Sequence, residues 1–438
     1  MLAALLIFCL FACGRGNAGP EESFVVPTPA AGNADSSGSR RLTIAVAQTS
    51  PAPELTAAIK AFKAEYPHYS VDIINYYEAA SNDMDAGLSL LISDIGGGRA
   101  PDMLYMPPFL TNELSRGGHL DNLYGYIDGD VELKRASFPA GLLDAAEING
   151  SLYTFASTFY VVTAEGPADI LENGGTLTFE KMRAAMGEVR PGVMMLPPGL
   201  SRESFMKYCF MASGDSVLNR NYMTGNFNSP EYIEMLEFCR DMPDTSGRPG
   251  EPLISFRVIT SFSVATASRV YMGLPVLNDR DSGSAAVFAT AELGIFSGSA
   301  NKDASWSLLR RLLLEQFQLQ MARERFKTGA PYLPTNVNAL ERMAEDTLSV
   351  GGAFYAEDQP GTVEGAERIL ALIKGVSNVY REKREDFLKE VSPIEIIVLR
   401  EASLFFNDLK TASEAASATE SAVRTYLNSG IFEEDEGE

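Results

Sequence analysis

The chain has 438 residues, 45% of them hydrophobic and 21% charged, which is enough apolar material for more than one core; length alone suggests about three domains. A formal net charge of −22 argues against nucleic acid as a partner and against adsorption of the folded part to an anionic membrane, because both depend on clustered Lys and Arg. With two histidines, His68 and His119, set far from the four cysteines, no metal-ligand spacing and no Cys-His nucleophile is apparent, and no cofactor is expected.

The first element in chain order is the apolar run Leu2 to Phe11, too short for the roughly 20 residues of a membrane helix and of the length of a secretory leader. Leu10-Phe11-Ala12-Cys13, followed by Gly14, resembles the lipobox of bacterial lipoproteins, which implies lipidation of Cys13 and a membrane anchor; the blander alternative is an uncleaved apolar start. Residues 14–41 are rich in Gly, Pro, Ala, Ser and Asn without apolar periodicity and read as a flexible tether.

Leu42 to Val46 alternates as a strand, and Pro51 and Pro53 open a helix with Leu55, Ile59, Phe62 and Tyr66 on one face. A second strand is predicted over Tyr69 to Tyr77, then a helix with Met84, Leu88, Leu91 and Ile95 inward, closed by Gly96-Gly97-Gly98, then a third strand over Met103 to Met106. The triple glycine ends a helix where a phosphate loop would open one, and it lacks the GK[ST] ending, so nucleotide binding is not expected there. Strand, helix, strand, helix, strand with short connections implies parallel right-handed crossovers, whose ligands sit beyond the carboxyl ends of the strands. Gln48, Thr49, Ser50, Tyr77, Glu78, Tyr105 and Met106 fall at that edge.

After the turn dipeptide Asn149-Gly150, the β-branched and aromatic run Ser151 to Thr163 could span roughly 40 Å, twice an ordinary strand. It is expected to pass from one sheet into another, bending near Ala156 and Ser157. At this point AIKAFKAEYP, LISDIGGGRAPDMLYM and ELSRGGHLDNLYGYID, followed by INGSLYTFASTFYVVTA, together resemble the family 1 extracellular solute-binding proteins of bacterial ABC importers, the maltose-binding-protein-like superfamily. Phe155-Ala156 stands where Ile-Pro is often found in that family's crossing.

Further along, Thr178 is a plausible N-cap for a helix through Met182, Ala185, Met186 and Val189, and Ser201 to Ala212 reads as a second helix. Ser229 with Pro230 opens a third, on whose apolar face Tyr232, Leu236 and Cys239 lie together, so Cys239 is expected in the core. Cys209 and Cys239 fall on helices and stand either as a disulfide or as two buried thiols. Tyr271 to Arg280 looks like the return toward the first lobe, and Ala286 to Phe296 reads as strand-rich. The helix that follows carries the only Trp, Trp306, at core spacing with Leu309, Leu313 and Phe317. Gly329 to Asn336, GAPYLPTN, is similar to the family's third crossing, and FFNDLKTASEAASATESAVRTYLNS to its closing helix pair.

The resemblance implies an α/β, two-lobed periplasmic-binding-protein type 2 fold, each lobe a mostly parallel sheet flanked by helices and joined by a multi-strand hinge. The implied boundaries are 1–13 leader, 14–41 tether, 42–155 with 281–332 as N-terminal lobe, 156–280 with 333–430 as C-terminal lobe, and 431–438 acidic tail. It implies a lipid-anchored monomer on the extracellular face that captures a small solute, such as an oligosaccharide, and hands it to ABC transporter permease subunits without chemistry of its own. Tyr76, Tyr77, Tyr105, Phe159, Tyr160 and Tyr332 are candidate aromatic faces for a sugar; Gln48, Glu78, Asn278, Asp279 and Arg280, with Thr158 at the crossing, are candidate polar contacts. The scarcity of Trp leaves peptides, polyamines and phosphorylated polyols open as ligands. A secreted carbohydrate-active enzyme needs two carboxylates flanking a cleft, and no pair stands out among 58 acidic residues. An adhesion or signalling lipoprotein on the same fold is the third reading.

Overall fold

The structure is a computed structural model and describes residues 40–47, 52–107, 111, 114–167, 176–186, 193–219, 224–243, 245, 250–264, 269–277, 286–355, 361–375, 378–380 and 393–428. The leader with Cys13, most of the tether and the acidic tail lie outside the described residues, as do Gln48, Thr49, Ser50, Asn278, Asp279 and Arg280.

Arg40–Val46 (β1), Tyr69–Asn75 (β2) and Met103–Met106 (β3) pair in parallel with β1 in the middle. β1 begins inside the expected tether because Arg40 and Arg41 continue the ladder opposite Tyr69 and Ser70. Pro53–Glu65 (α1) links β1 to β2, with Pro53 in its first turn, where the missing N–H leaves no bond unmade. Leu55, Ala58 and Phe62 of α1 are fully buried, while Ile59 and Tyr66 pack at the margin of the same core. Tyr76–Ala79 (α2) and Met84–Gly96 (α3) link β2 to β3, and Leu91 of α3 is buried against the other face of the sheet with Met84, Leu88 and Ile95 around it. At the amino end of β3 the buried Asp102 carboxylate accepts from the Thr43 N–H (2.8 Å) and hydroxyl (2.9 Å), the Ser299 hydroxyl (2.7 Å) and the Asn301 side-chain amide (3.1 Å). Those four bonds knit the floor of the sheet with neutral donors only.

The run expected to cross between sheets does cross, but as two strands. Asn149 and Gly150 both adopt positive φ (52° and 74°) and reverse the chain between the bridged residues Ile148 and Ser151. Leu152 then gives its carbonyl to the Leu123 N–H (2.6 Å) and no ladder forms until Phe155–Ala156 (β4), which joins the first sheet. The backbone breaks at Ser157, and Thr158–Pro167 (β5) becomes the central strand of a second sheet.

Along one side of β5 lie Leu333–Pro334 and then Ser255–Ile259; along the other lie Ala286–Ala289 and then Arg269–Met272. All four run antiparallel to β5, since the chain enters through β5 and each later segment heads back toward the first sheet. A mostly parallel sheet is therefore correct for β1 to β3 and incorrect for the second sheet, where among the described residues only Asn378–Tyr380 pairs in parallel, with Ala286–Ala289. The return crossing lies at Thr290 and Ala291, beyond the boundary expected at 281, and Glu292–Ile295 then fills the place between β3 and β4, antiparallel to both.

One core runs from beneath the first sheet through Phe159 and Val161 to Leu340, Ile369 and Ile373. A second unites Phe179–Met186, Arg202–Val217, Pro230–Asp241, Pro393–Phe406 and Ala412–Asn428, the helices expected from apolar spacing. Thr178 and Ser229 cap as expected, accepting from the N–H groups of Lys181 and Tyr232 (3.2 Å each). Cys209 and Cys239 are free thiols at 0% exposure in that second core, and burial pushes the Cys209 thiol well above its ordinary pKa. Trp306 lies at the edge of the first core, its ring stacked on Tyr126 (5.3 Å) and its N–H given to Asp130 (3.1 Å). No helix among the described residues is long and apolar enough to cross a membrane.

Candidate functional site

The register Asn75, Val46, Tyr105 across β2, β1 and β3 brings all three carboxyl ends to one edge. α2 starts there directly from β2, with the Asn75 side chain accepting from the Glu78 N–H. α3 lies so close behind that a Cβ on Gly87 would come within 2.8 Å of the Tyr76 carbonyl oxygen. This pins α2 and leaves Tyr77 half-buried and Glu78 exposed at the edge. Tyr76, a candidate aromatic face, is instead buried, with its hydroxyl donated to Asp94 (3.0 Å).

Tyr105 and Met106 are at the edge by register but turned into cores on opposite faces of β3, at 3% and 1% exposure. A four-residue strand covered on both sides presents no side chain to solvent. Burial raises the Tyr105 hydroxyl pKa, the nearby Glu54 carboxylate adds to the rise, and the Arg325 guanidinium opposes it. Phe159 is likewise core, on the face of β5 opposite Tyr160.

Tyr160 is the centre of the candidate site. The ladders set Phe288 opposite it on one side, and on the other the pairing of Leu333 with Phe159 brings Tyr332 alongside. The rings of Tyr160 and Phe288 stack (5.1 Å, 8°), and Tyr332 lies tilted to Tyr160 (6.3 Å, 35°). Tyr160 and Tyr332 are both only half-buried, so the row keeps open surface at the junction of the two sheets. Beyond Tyr332 stands Arg325, its guanidinium carbon 4.9 Å from the ring centroid. Arg325 is in turn held by both carboxylate oxygens of Glu54, through Nη2 to Oε2 (2.8 Å) and Nε to Oε1. Glu54 is 2% exposed in the first turn of α1, and the row thereby runs without interruption from the first sheet's flank into the second sheet.

Hydrogen bonds fasten the crossings to one another beside this row. The hydroxyls of Thr158 and Thr290 are 2.6 Å apart, which occupies Thr158, and the Thr290 N–H reaches the Thr158 carbonyl (3.2 Å). Thr335 gives its N–H and its hydroxyl to the Ser157 carbonyl (3.2 Å each). Gln318, 2% exposed, donates to Leu312 O (2.9 Å) and Thr335 Oγ1 (3.0 Å) and accepts from the Asn336 N–H (2.7 Å). Buried Glu292, the first residue of its strand, accepts the hydroxyls of Thr111 and Thr154. Among the described residues no group of three or more His, Cys, Asp or Glu is placed to hold a metal ion.

Two lobes built on separate sheets and linked by three crossings are also the shape of known structures. Sugar-binding MalE from Xanthomonas citri superposes with a TM-score of 0.59 at 17% identity, covering 89% of this chain and 98% of that one. The fold is that of the extracellular solute-binding proteins. A family 1 extracellular solute-binding protein from Alicyclobacillus acidocaldarius shares this solute-binding fold at a TM-score of 0.58 and 14% identity, covering 90% of this chain and 100% of that chain. So does the ABC substrate-binding protein Lmo0181 from Listeria monocytogenes, solved with cycloalternan (0.52, 16%, 89% and 99%). By sequence, no family model and no curated protein matches the chain.

Of the residues placed at the cleft by sequence, Tyr160 and Tyr332 come together; Tyr77 and Glu78 lie at the first sheet's edge; Tyr105, Met106 and Thr158 are buried. Sequence reasoning missed Phe288, Arg325 and Glu54. Phe288 was legible only as part of a strand-rich segment, and its place beside Tyr160 follows from strand register. The Glu54–Arg325 pair, 271 positions apart, has no local signature.

Proposed function

We propose that the protein is a receptor that captures a small carbohydrate, an oligosaccharide, between its two lobes and passes it to the permease subunits of an ABC importer without altering it. The observation that carries the reading is the pair Tyr160 and Tyr332, half-exposed at the lobe junction and backed by the buried ring of Phe288, since aromatic faces pack against the C–H surfaces of sugars and phenol hydroxyls bond to theirs. The neighbours support it: one is named a sugar-binding protein, one was solved with cycloalternan, and another is a cyclic alpha-maltosyl-1,6-maltose binding protein from Arthrobacter globiformis.

In this reading Tyr77 and Glu78, with Gln48, Thr49 and Ser50 of the first lobe and Asn278, Asp279 and Arg280 of the second, close around the solute as the lobes turn about Ser157, Thr290–Ala291 and Thr335. A ligand touching both lobes shifts the population toward closure. The leader places the protein on the extracellular face, anchored through lipid on Cys13.

Thermal-shift and calorimetric titration with maltotriose, cyclic glucans, di- and tripeptides and spermidine tests the proposal. Saturable binding of a sugar, a rise in Tm, a smaller radius of gyration in solution scattering and no product on long incubation are expected. Stabilisation by peptides or spermidine alone overturns the sugar assignment, and product formation overturns the receptor.

A further inference from the structure

The Glu54–Arg325 pair is a costly way to hold two elements together. Glu54 is 2% exposed and the Arg325 side chain 20%, and an apolar pair of similar volume would stabilise such a site at least as well as two charges taken out of water. What an apolar pair could not do is point a planar cation at a ring. Arg325 lies in the last turn of the helix Glu315–Lys327, seven positions before Tyr332; the edge of its guanidinium is engaged by both Glu54 oxygens and its carbon stands 4.9 Å from the Tyr332 ring centroid. Tyr332 sits on extended chain immediately before the two-residue strand Leu333–Pro334, where backbone pairing alone gives a side chain little guidance. Its partner on the other side is the tilted Tyr160. The bidentate fork fixes the guanidinium, and the guanidinium holds the ring.

We propose that Arg325, oriented by Glu54, is a positioning residue that clamps Tyr332 so that the aromatic row is already formed in the unliganded protein. The consequence for binding rests on the carbohydrate-receptor reading; the clamp itself does not. A ring fixed in advance spares the solute the cost of ordering it, which corresponds to about three- to tenfold in affinity for one side chain. Arg325 acts through Tyr332.

The test uses the full chain labelled with 3-fluorotyrosine, the Tyr332 resonance being assigned from Tyr332→Phe. The double variant Glu54→Gln with Arg325→Met removes both charges and strands neither; Arg325→Lys keeps a cation without the fork. In the double variant the Tyr332 fluorine signal is expected to move toward that of an exposed tyrosine and maltotriose binding to weaken about three- to tenfold, with Arg325→Lys recovering part of each. A Tyr332 signal unchanged in the double variant overturns the clamp. A signal that moves while wild-type affinity is retained overturns the role in binding. Should the double variant fail to fold, an unchanged Tyr332 signal in Arg325→Lys overturns the clamp equally. Should the wild type bind no maltotriose, the sugar reading is what suffers, and the fluorine spectrum still decides the clamp.

Discussion

Gln318 ties the third crossing to the helix ahead of it, beside the Asn336 side-chain bond to the Leu313 carbonyl (3.1 Å), and replacing it by Met isolates its share. Met has nearly the same length and volume, so no cavity opens, yet all three hydrogen bonds of Gln318 disappear. Thr335 keeps its bonds to the Ser157 carbonyl, so its hydroxyl is not stranded. The Asn336 N–H and the Leu312 carbonyl lose their side-chain partner in a buried setting, at about 1–3 kcal/mol each. The thioether recovers about 1 kcal/mol by burying apolar surface, which leaves Gln318→Met about 1–5 kcal/mol less stable than wild type. Urea unfolding followed by circular dichroism measures this directly: with a slope of about 3 kcal/mol/M for a chain of this size, the midpoint falls by about 1 M. A loss under about 0.5 kcal/mol refutes the view that this buried amide fastens the crossing. The Gln318→Glu variant, which keeps an acceptor for Asn336 but lacks the amide donor, is expected to be worse at neutral pH.

Asp130 accepts from Arg310 (2.7 and 3.0 Å), from Trp306 and from the Glu132 and Leu133 N–H groups. Burial would raise its pKa, but Arg310 and the backbone donors outweigh that and hold the carboxyl well below the usual range. A depressed folded pKa contributes stability that is complete above the unfolded value near 4 and is lost as the pH falls below it, so Asp130→Asn should cost about 1–3 kcal/mol at pH 7 and flatten the acid limb of a stability–pH profile. An unchanged acid limb counts against the assignment. Gly87→Ala must push α3 off the Tyr76 carbonyl and should lower Tm by about 1–3 °C, about 1 °C being expected for each kcal/mol of overpacking in a chain of this size; a Tm equal to wild type shows that α2 yields freely. Cys209 and Cys239 should resist iodoacetamide at pH 8 until the chain is unfolded, read by peptide mass spectrometry; labelling in the native state, or a disulfide between them, contradicts two buried thiols.

Much of the first sheet was legible because its elements alternate with clean periods: β1, α1, α3 and β3 fall where apolar spacing and proline place them. The crossing at Ser157 was legible from length, since thirteen strand-forming residues outrun a single sheet. Where it breaks was less so, because the extent of β4 depends on a partner, Glu292–Ile295, more than a hundred residues away. Sidedness was the weakest point. Tyr76, Tyr105, Phe159 and Tyr160 have similar local surroundings in sequence, yet the first three are core and only the last stays half-open. A strand covered on one face and a strand covered on both look alike when both are rich in aromatic and branched residues. The antiparallel second sheet escaped for a related reason: its segments are two to five residues long around β5, too short to carry a period of their own.

The place of Glu292–Ile295 between β3 and β4 has a temporal meaning. As the polypeptide is synthesised, β1 to β4 can all emerge while the slot that joins β3 to β4 stands empty, and the second sheet waits longer still for Asn378–Tyr380. Contacts at such separations are late and slow to form. Truncation before residue 292 leaves β3 and β4 without the strand that joins them.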